Sequence, residues 1–286
     1  MEGMMPTNSV HASETRSPER LREHYLIERE LADRLRAAGR EERRHLYTAL
    51  YDELFRRVLD HPQLTRKADS ENRASAVAGR MSLLGRFLRP ETVYLEVGPG
   101  DCALALEIAR HAKQVYAVDV SEEITGGLDM PGNFRRVISD GCSIPVPAGQ
   151  VDLAFSDQLM EHLHPEDALE QLRNIYGSLR EGGHYICITP NSLSGPHDVS
   201  EYFDEVATGF HLKEYTIGEL ASLFRATGFR RVRVLVGARG RFLEIPASLL
   251  KVIEGALGLL PRRLGRREAR GLPLRLILGI TLIATK

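Results

Sequence analysis

An acidic residue and two glycines mark the point where a predicted strand turns into a predicted helix. Glu96, Gly98 and Gly100 lie in the run Glu-Val-Gly-Pro-Gly, which follows an apolar stretch and precedes one with helical spacing. Glycines at such a turn permit positive φ angles and let a ligand approach the main chain closely. The stretch therefore predicts a cofactor-binding loop.

Two ligands suit a loop of this kind. Gly98, Gly100 and Ala103, with the acidic Asp119 about 20 residues further on, match the spacing of a dinucleotide site, in which a pyrophosphate lies at the helix N-terminus. The alternative is S-adenosylmethionine, which carries no phosphate. The sequence shows no second nucleotide-binding half and no Tyr-x-x-x-Lys proton relay, so a dinucleotide-dependent oxidoreductase is the weaker alternative.

The elements that must position this loop alternate between strands and helices. Strands are predicted at Thr92–Val97, Gln114–Asp119, Phe134–Ile138, Val151–Ser156, Gly183–Thr189, Phe229–Val236 and Leu276–Thr285. Helical patterns lie between most of them, at Ala103–His111, Glu122–Leu128, Pro165–Leu179 and Thr216–Thr227. Short apolar strands that alternate with helices predict an α/β fold with a mainly parallel sheet covered on both faces.

The residues before the first strand read as a mobile tail at 1–18 and a helical cap at 19–90. Leucines and aromatic residues recur with helical spacing between Glu19 and Asp60, Gly39 offers a break, and a third helix is predicted at Ala74–Leu88. The catalytic domain is predicted at 91–286, with insertions at 191–215 and 240–272 that could serve as substrate loops or a lid.

Composition restricts the location and the partners. The formal net charge is -1, so no global basic excess would hold a long nucleic acid. Cys102, Cys142 and Cys187 have no metal-ligand spacing, and the chain shows no secretory leader, which favours a reduced, cytoplasmic setting. No apolar run reaches the roughly 18 residues that a membrane-spanning helix needs.

Five segments, in order and at the expected spacing, resemble the motifs of class I S-adenosylmethionine-dependent methyltransferases, of the ubiquinone-pathway kind. They are Glu-Val-Gly-Pro-Gly at 96–100, Val118-Asp119-Val120, Ser139-Asp140-Gly141, Val151–Leu163, and the Gly-Gly run at 179–191. The resemblance covers about 93 to 229 and departs at Cys102, where a third glycine is frequent. It implies a Rossmann-like fold with a seven-stranded, mostly parallel sheet, an antiparallel last strand, N-terminal helices and a helical insertion.

The same resemblance assigns roles at the cofactor. It implies that Glu96 faces the methionine end of S-adenosylmethionine and that Asp119 accepts both ribose hydroxyls. An acid in the third-strand loop, here Asp140, would meet the adenine amino group. The cofactor-binding set is completed by Gly98, Gly100, Val120, Gly141 and Asp157.

Acceptor chemistry is less determined, because methyl transfer from a sulfonium mainly requires alignment and exclusion of water. The resemblance places Glu161 and His162 beside the methyl group, with His162 as a general base of near-neutral pKa; it could instead simply hydrogen-bond a neighbouring loop. His197, Asp198, Tyr202 and His211 are candidate pocket residues or parts of an ordinary polar loop. A small-molecule acceptor is expected, methylated at oxygen in the first place, with nitrogen and carbon as alternatives.

A metal-dependent variant and a non-catalytic scaffold are further alternatives. Related ubiquinone-pathway and small-RNA 2′-O-methyltransferases use a Glu-x-x-Glu-His pattern and a later His for a divalent ion, which Glu161, His162 and His211 match in part. Gln158 stands at the first acid's position, and a neutral amide is a poor Mg²⁺ ligand. We therefore expect no metal, and the neutral charge argues against RNA.

The segment at 240–272 combines an apolar stretch with the run Pro261–Arg270, which holds five arginines. Such a combination could contact anionic lipid or a lipid-linked substrate, or form a lid or a homodimer surface with solvated charges.

Overall fold

A computed structural model of the chain describes residues 14, 16–62, 64, 70–120, 130–238 and 241–286. The strands are β1 (Val93–Val97), β2 (Gln114–Asp119), β3 (Phe134–Ile138), β4 (Val151–Asp157), β5 (Leu179–Thr189), β6 (Arg230–Ala238), β7 (Arg241–Pro246) and β8 (Ile280–Thr285). They form one sheet in the order β3-β2-β1-β4-β5-β8-β6-β7. The first five pair in parallel, and β8 runs antiparallel to β5 and β6.

Nine helices are seen in the described ranges. They are α1 (Pro18–Ala37), α2 (Arg40–Arg57), α3 (Ser70–Leu84), α4 (Ala103–Ala109), α5 (Pro165–Ser178), α6 (Ile217–Thr227), α7 (Ala247–Gly258), α8 (Arg262–Arg270) and α9 (Leu274–Leu278), with short 3-10 turns at Gly85–Phe87, Met160–His162 and Val199–Tyr202. Within the described part of the chain, no helix is both long and apolar enough to cross a membrane.

Alternate residues of the strands pack against different helices. Leu95 and Tyr185 belong to a core shared with α1, α2, α5, α6 and α7, whereas Tyr94 and Ile186 face a second core built with α3 and α4. The sheet is therefore buried on both sides, as the near-continuous apolar strands predicted.

The parallel pairing of β1 with β2 and β4 gathers three loops at one edge of the sheet. These loops follow Val97, Asp119 and Asp157, and they carry the predicted cofactor and catalytic residues. In an open α/β sheet this edge, at the carboxyl ends of the strands, is where ligands bind.

The predicted α/β class, the Rossmann-like parallel sheet and the antiparallel last strand are confirmed, but the sheet has eight strands rather than seven. The additional strand, β7, pairs only with β6 at the edge and lies inside the segment predicted as a helical insertion. The last strand begins at Ile280, because the apolar run at Leu274–Leu278 forms α9. Periodicity does not separate a short apolar strand from a short helix.

The Gly-Gly pair lies inside a strand and not before it. β5 begins at Leu179, and its pairing with β4 shifts register between Val151 and Leu153. A side chain at Gly183 would approach the carbonyl oxygens of Arg180 and Val151 to 2.9 Å, so only glycine fits this bulge.

The predicted N-terminal helices are confirmed as α1, α2 and α3. A capping box between Thr216 and Glu219 begins α6. The helix predicted at 122–128 and most of the tail predicted at 1–18 lie outside the described residues.

Candidate functional site

The loop between β1 and α4 has the backbone that its glycines predicted. Gly98 and Gly100 have φ angles of +70° and +55°, and Cys102 also lies in the left-handed region. A side chain at Gly98 would press on Leu159, whereas among the described residues, chain neighbours aside, no atom lies within 4 Å of the Cβ position of Gly100. The main chain at Gly100 is therefore open to close approach by a ligand.

Asp119 ties this loop to the end of the neighbouring strand. Its Oδ2 accepts a hydrogen bond from the Gly100 amide (3.3 Å) and its Oδ1 accepts one from the Val120 amide (2.7 Å). The carbonyl of Val120 in turn accepts from the Thr48 hydroxyl of α2 (2.8 Å). The structure thus brings Gly100, Asp119 and Val120 together, as predicted.

Glu96 is a buried carboxyl at the floor of the cleft. It accepts a hydrogen bond from the Tyr94 hydroxyl (3.2 Å). Burial raises the pKa of Glu96 to about 8, assisted by the negative charges of Asp157 and Asp101. A cationic ligand group would stabilise the charged form and reverse this shift.

Helix α3 covers the cleft and contributes residues that the motif analysis missed. The cleft, of about 550 Å³, is bounded below by Glu96, Gly98 and Asp157 and above by Arg73 and Arg80. Arg80 Nε lies 2.6 Å from Asp157 Oδ2, and Arg73 Nε lies 2.8 Å from Asp101 Oδ2. The two arginines are seven positions apart, about two helical turns, which places them on one face of the helix; this spacing was the available signal.

The unpaired oxygen of Asp157 indicates which kind of ligand the cleft fits. Its Oδ1 is buried and has no hydrogen-bond partner among the described residues. Buried polar atoms are nearly always paired, so an orphan acceptor beside Glu96 fits a cleft made for a ligand that donates hydrogen bonds.

Asp140 and Gly141 occupy the end of β3, where the motif predicted them. Asp140 Oδ1 accepts from the amides of Cys142 (3.0 Å) and Ser143 (2.7 Å), and its Oδ2 pairs with Arg44 of α2 (3.1 Å). Burial opposes ionisation, but these donors hold the pKa of Asp140 below its ordinary value. A side chain at Gly141 would lie 2.9 Å from the Tyr47 ring, so this turn also seats α2.

The 3-10 turn after β4 carries Glu161 and His162, the two residues predicted to lie beside the acceptor. His162 Nδ1 lies 3.1 Å from the carbonyl oxygen of Phe210 and must donate to it, which leaves Nε2 with a lone pair. The predicted near-neutral pKa is wrong. Burial, and then the charge of His211, lower the pKa of His162 to about 3, so the ring is neutral.

Glu161 and His211 complete the cluster, with opposite pKa shifts. Burial raises the pKa of Glu161 to about 7; its Oε2 accepts from the Thr189 hydroxyl (2.8 Å), and its Oε1 has no hydrogen-bond partner in the described ranges. Burial opposes protonation of His211, but its Nδ1 hydrogen bond to Glu214 (2.7 Å) and the nearby Glu161 raise its pKa to about 9. Ligand-type atoms of Glu161, His162 and His211 all lie within 4.8 Å of one another.

Helix α2 supplies an aromatic wall that the motif analysis also missed. The Tyr51 ring stacks on Phe210 at 4.8 Å and meets His162 edge-on at 6.0 Å. Tyr47, Tyr51 and Phe55 recur every four residues, so the sequence did contain the signal of an aromatic stripe on one helix face.

Helix α1 holds the loop that carries His211. Arg36 donates to the carbonyl oxygens of Thr208 and Gly209, both at 2.9 Å. Glu28 accepts from the Phe210 amide at 2.8 Å. The position of His211 therefore depends on α1.

The other predicted pocket residues have mainly local partners. His197 Nε2 lies 3.2 Å from the Asn191 carbonyl, and burial lowers its pKa. Asp198 Oδ2 accepts from the amides of Gly209 (3.0 Å) and His211 (3.3 Å). Burial raises the pKa of Tyr202 to about 12. The centroid of its ring lies 6.5 Å from that of Phe203, and the Phe203 ring stacks on Tyr25 of α1.

A second histidine cluster lies under α1. His24, Glu28 and His61 place potential ligand atoms within 4.8 Å of one another. Arg16 Nη1 lies 2.8 Å from His24 Nδ1 and can only donate, so the ring proton belongs on Nε2, which lies 2.8 Å from Glu28 Oε2. Glu28 of this cluster also accepts from the Phe210 amide, so the cluster serves the link between α1 and the loop of His211.

Comparison with known proteins gives one family match. A family model described as a methyltransferase domain matches residues 40–234, well over half of the chain. A comparison with curated proteins found no significant match.

Several solved structures resemble the fold. A protein of Haloferax volcanii, solved with the methyltransferase activator Trm112, is 16% identical over 77% of this chain and 96% of its own, with a TM-score of 0.52. Phosphoethanolamine N-methyltransferase 1 of Haemonchus contortus is 17% identical over 77% of this chain and 55% of its own (TM-score 0.51). An S-adenosylmethionine-dependent methyltransferase of Archaeoglobus fulgidus is 20% identical over 75% and 94% (TM-score 0.49).

Proposed function

The chain belongs to the class I S-adenosylmethionine-dependent methyltransferases, and we propose that it methylates an oxygen atom of a small-molecule acceptor. The observation that carries the acceptor chemistry is the fixed proton position of His162, whose Nε2 lone pair is available at the end of β4. A hydroxyl acceptor must lose a proton, and a neutral imidazole nitrogen can receive it.

The cleft between β1, β4 and α3 fits the cofactor in charge and size. A volume of about 550 Å³ is ordinary for a small-molecule pocket. Glu96 and Asp157 would face the ammonium group of the methionine end, and Arg73 and Arg80 would face its carboxylate. Asp119 would accept from the ribose hydroxyls; Val120, Asp140 and Gly141 would border the adenine.

The bound cofactor supplies a methyl group on a sulfonium; the transfer breaks the C–S bond, forms the C–O bond and leaves a neutral thioether. The hydroxyl proton becomes strongly acidic as the C–O bond forms. His162 can therefore accept this proton even though its pKa in the free protein is only about 3. Glu161, at 0% exposure, would stabilise the imidazolium that results.

The first experiment separates cofactor binding from turnover. Calorimetry with S-adenosylmethionine should show binding that Asp119→Ala weakens at least about tenfold, which is about 1.4 kcal/mol. A screen of phenols and sugars with methyl-labelled cofactor should then find a substrate. His162→Ala should keep cofactor binding and lower turnover by about 10² to 10⁴.

His164→Ala is the matched control. This histidine lies two residues away and caps α5, and its loss should leave turnover near that of the wild type. No cofactor binding in the wild type, or full activity in His162→Ala, would contradict the proposal. Binding without turnover on any acceptor would favour the scaffold alternative.

A metal-assisted reaction on a diol or an RNA terminus is the second candidate. It is favoured by the proximity of Glu161, His162 and His211 and by the unpaired oxygen of Glu161. The amide of Gln158 and the positive charge of His211 weigh against it. If a vicinal diol reacts only with Mg²⁺ added, and Glu161→Gln abolishes that dependence, this candidate replaces the first.

The cytoplasmic location expected from the cysteines remains part of the proposal.

A further inference from the structure

Exposed apolar side chains are concentrated in one part of the molecule. Among the described residues, eight of the twelve exposed large hydrophobic side chains fall between positions 243 and 276; these are Leu243, Leu249, Val252, Leu259, Leu260, Leu264, Leu272 and Leu276. Single exposed leucines are normal, but such a concentration is typical of an interaction surface.

Helix α7 shows why this surface is not an ordinary amphipathic face. Leu250 and Leu257 are buried against the core, yet Leu249 and Val252 are 60% and 71% exposed. The helix is thus apolar on its outer side as well, and an outward apolar face calls for a covering partner.

The same segment is strongly basic. Positions 247–276 contain seven lysines and arginines and only two acidic residues, whereas the whole chain has a net charge of -1. One of the two acids, Glu254, is buried and accepts from the amides of Ile217 and Gly218. The exposed cations therefore meet little opposing charge within their own segment.

We propose that the face formed by α7, α8 and α9 docks onto an anionic lipid bilayer. Leucines and arginines at high density on surface helices match both parts of such a membrane, since the apolar groups enter the headgroup boundary and the cations meet the lipid phosphates. Attraction to anionic lipid would be specific to this face, because the rest of the chain is net acidic.

The docking face is tied directly to the loop that precedes His211, a member of the cluster with Glu161 and His162. Arg270 of α8 donates to the carbonyl oxygens of Ser194 (2.7 Å) and Pro196 (3.3 Å). Glu254 of α7 accepts from the Asn191 side chain (3.0 Å). Docking would thus order the loop that leads to His211, a coupling that rests on the proposed function; the docking itself does not.

Vesicle flotation tests the docking without any turnover. We expect the full chain to float with phosphatidylcholine vesicles that contain phosphatidylglycerol at least about tenfold more than with pure phosphatidylcholine, and high salt should reduce this binding. Leu249→Ser with Val252→Ser, and Arg262→Glu with Arg263→Glu and Arg267→Glu, should each abolish the preference. All five side chains are exposed.

Matched changes elsewhere provide the control. Leu59→Ser combined with Arg22→Glu and Arg56→Glu alters exposed residues of the same types outside the face and should float like the wild type. Equal flotation by the face variants and the wild type would overturn the proposal. So would a dimer in ultracentrifugation that Leu249→Ser with Val252→Ser dissociates, without vesicle binding. Cofactor calorimetry on the same variants keeps this result separate from the proposed methyl transfer.

Discussion

Glu96 is a carboxyl that burial keeps largely protonated at neutral pH. Its pKa of about 8 belongs to the free protein. Because the charged form is disfavoured in the folded state, this group stabilises the fold most at low pH, and the contribution is lost as the pH rises through about 8.

Cofactor binding at pH 7 should therefore release up to one proton from Glu96. The ammonium group of the cofactor would lower the pKa of Glu96, and a carboxyl protonated before binding would ionise. Calorimetry in two buffers of different ionisation enthalpy measures the released protons. The release should fade at pH 9, where Glu96 is already charged.

Two variants decide where that proton comes from. Glu96→Gln should bind more weakly and release no proton, whereas Glu161→Gln should release as much as the wild type. If the release persists in Glu96→Gln, the proton belongs to another group and the role given to Glu96 fails.

Helix α1 holds the loop of His211 through Arg36. Its guanidinium spans the carbonyl oxygens of Thr208 and Gly209. We expect Arg36→Ala to raise the KM of the acceptor several-fold and to speed hydrogen exchange across 203–211. Cofactor affinity should change little, because the hydrogen bonds and ring contacts seen for this loop among the described residues lead mainly to α1, to Tyr51 of α2 and to His162.

Arg34→Ala is the control for this prediction. Arg34 lies on the same helix but pairs with Glu53 at the surface, where an ion pair contributes about 0 to 1 kcal/mol. Equal effects of the two substitutions would mean that α1 as a whole, and not the Arg36 contacts, holds the loop.

The elements also show how far the sequence could predict the site. The glycine loop, Asp119 and the Glu161-His162 turn follow from local motifs at strand ends, so their positions were predictable. Arg80 and Tyr51 come from helices distant in sequence, and their approach depends on how those helices pack. The pKa of His162 was missed because its burial depends on such packing, including that of Tyr51.

Strand β7 was missed for a different reason. Arg241–Pro246 carries a charged residue at one end and proline at the other, and Leu243 points outward at 73% exposure. An edge strand pairs on one side only and need not show the apolar pattern of a central strand.

The N-terminal helices are part of the core of the protein and not an appendage. Leu31, Leu35, Leu50 and Leu54 are at most 1% exposed, and they belong to the same core cluster as the sheet residue Leu95. The buried pair of Arg43 with Asp167, at 2.6 Å, joins α2 to α5. The boundary predicted between residues 90 and 91 therefore stays a proposal about function. We do not expect it to divide two parts that fold independently.

A chain that begins at residue 70 should consequently fail to fold cooperatively. Removing α1 and α2 uncovers the core face of the sheet and leaves Asp167 buried without its partner, and the loss of a buried partner alone costs about 3 to 5 kcal/mol. Thermal unfolding followed by circular dichroism should show no sharp transition, and S-adenosylmethionine should not bind. A chain that begins at residue 14 keeps every helix and strand named above, and it should unfold like the full protein. If the shorter chain instead unfolds in one sharp step and binds the cofactor, α1 and α2 are a separable cap, and the dependence of His211 on α1 must act on the acceptor alone.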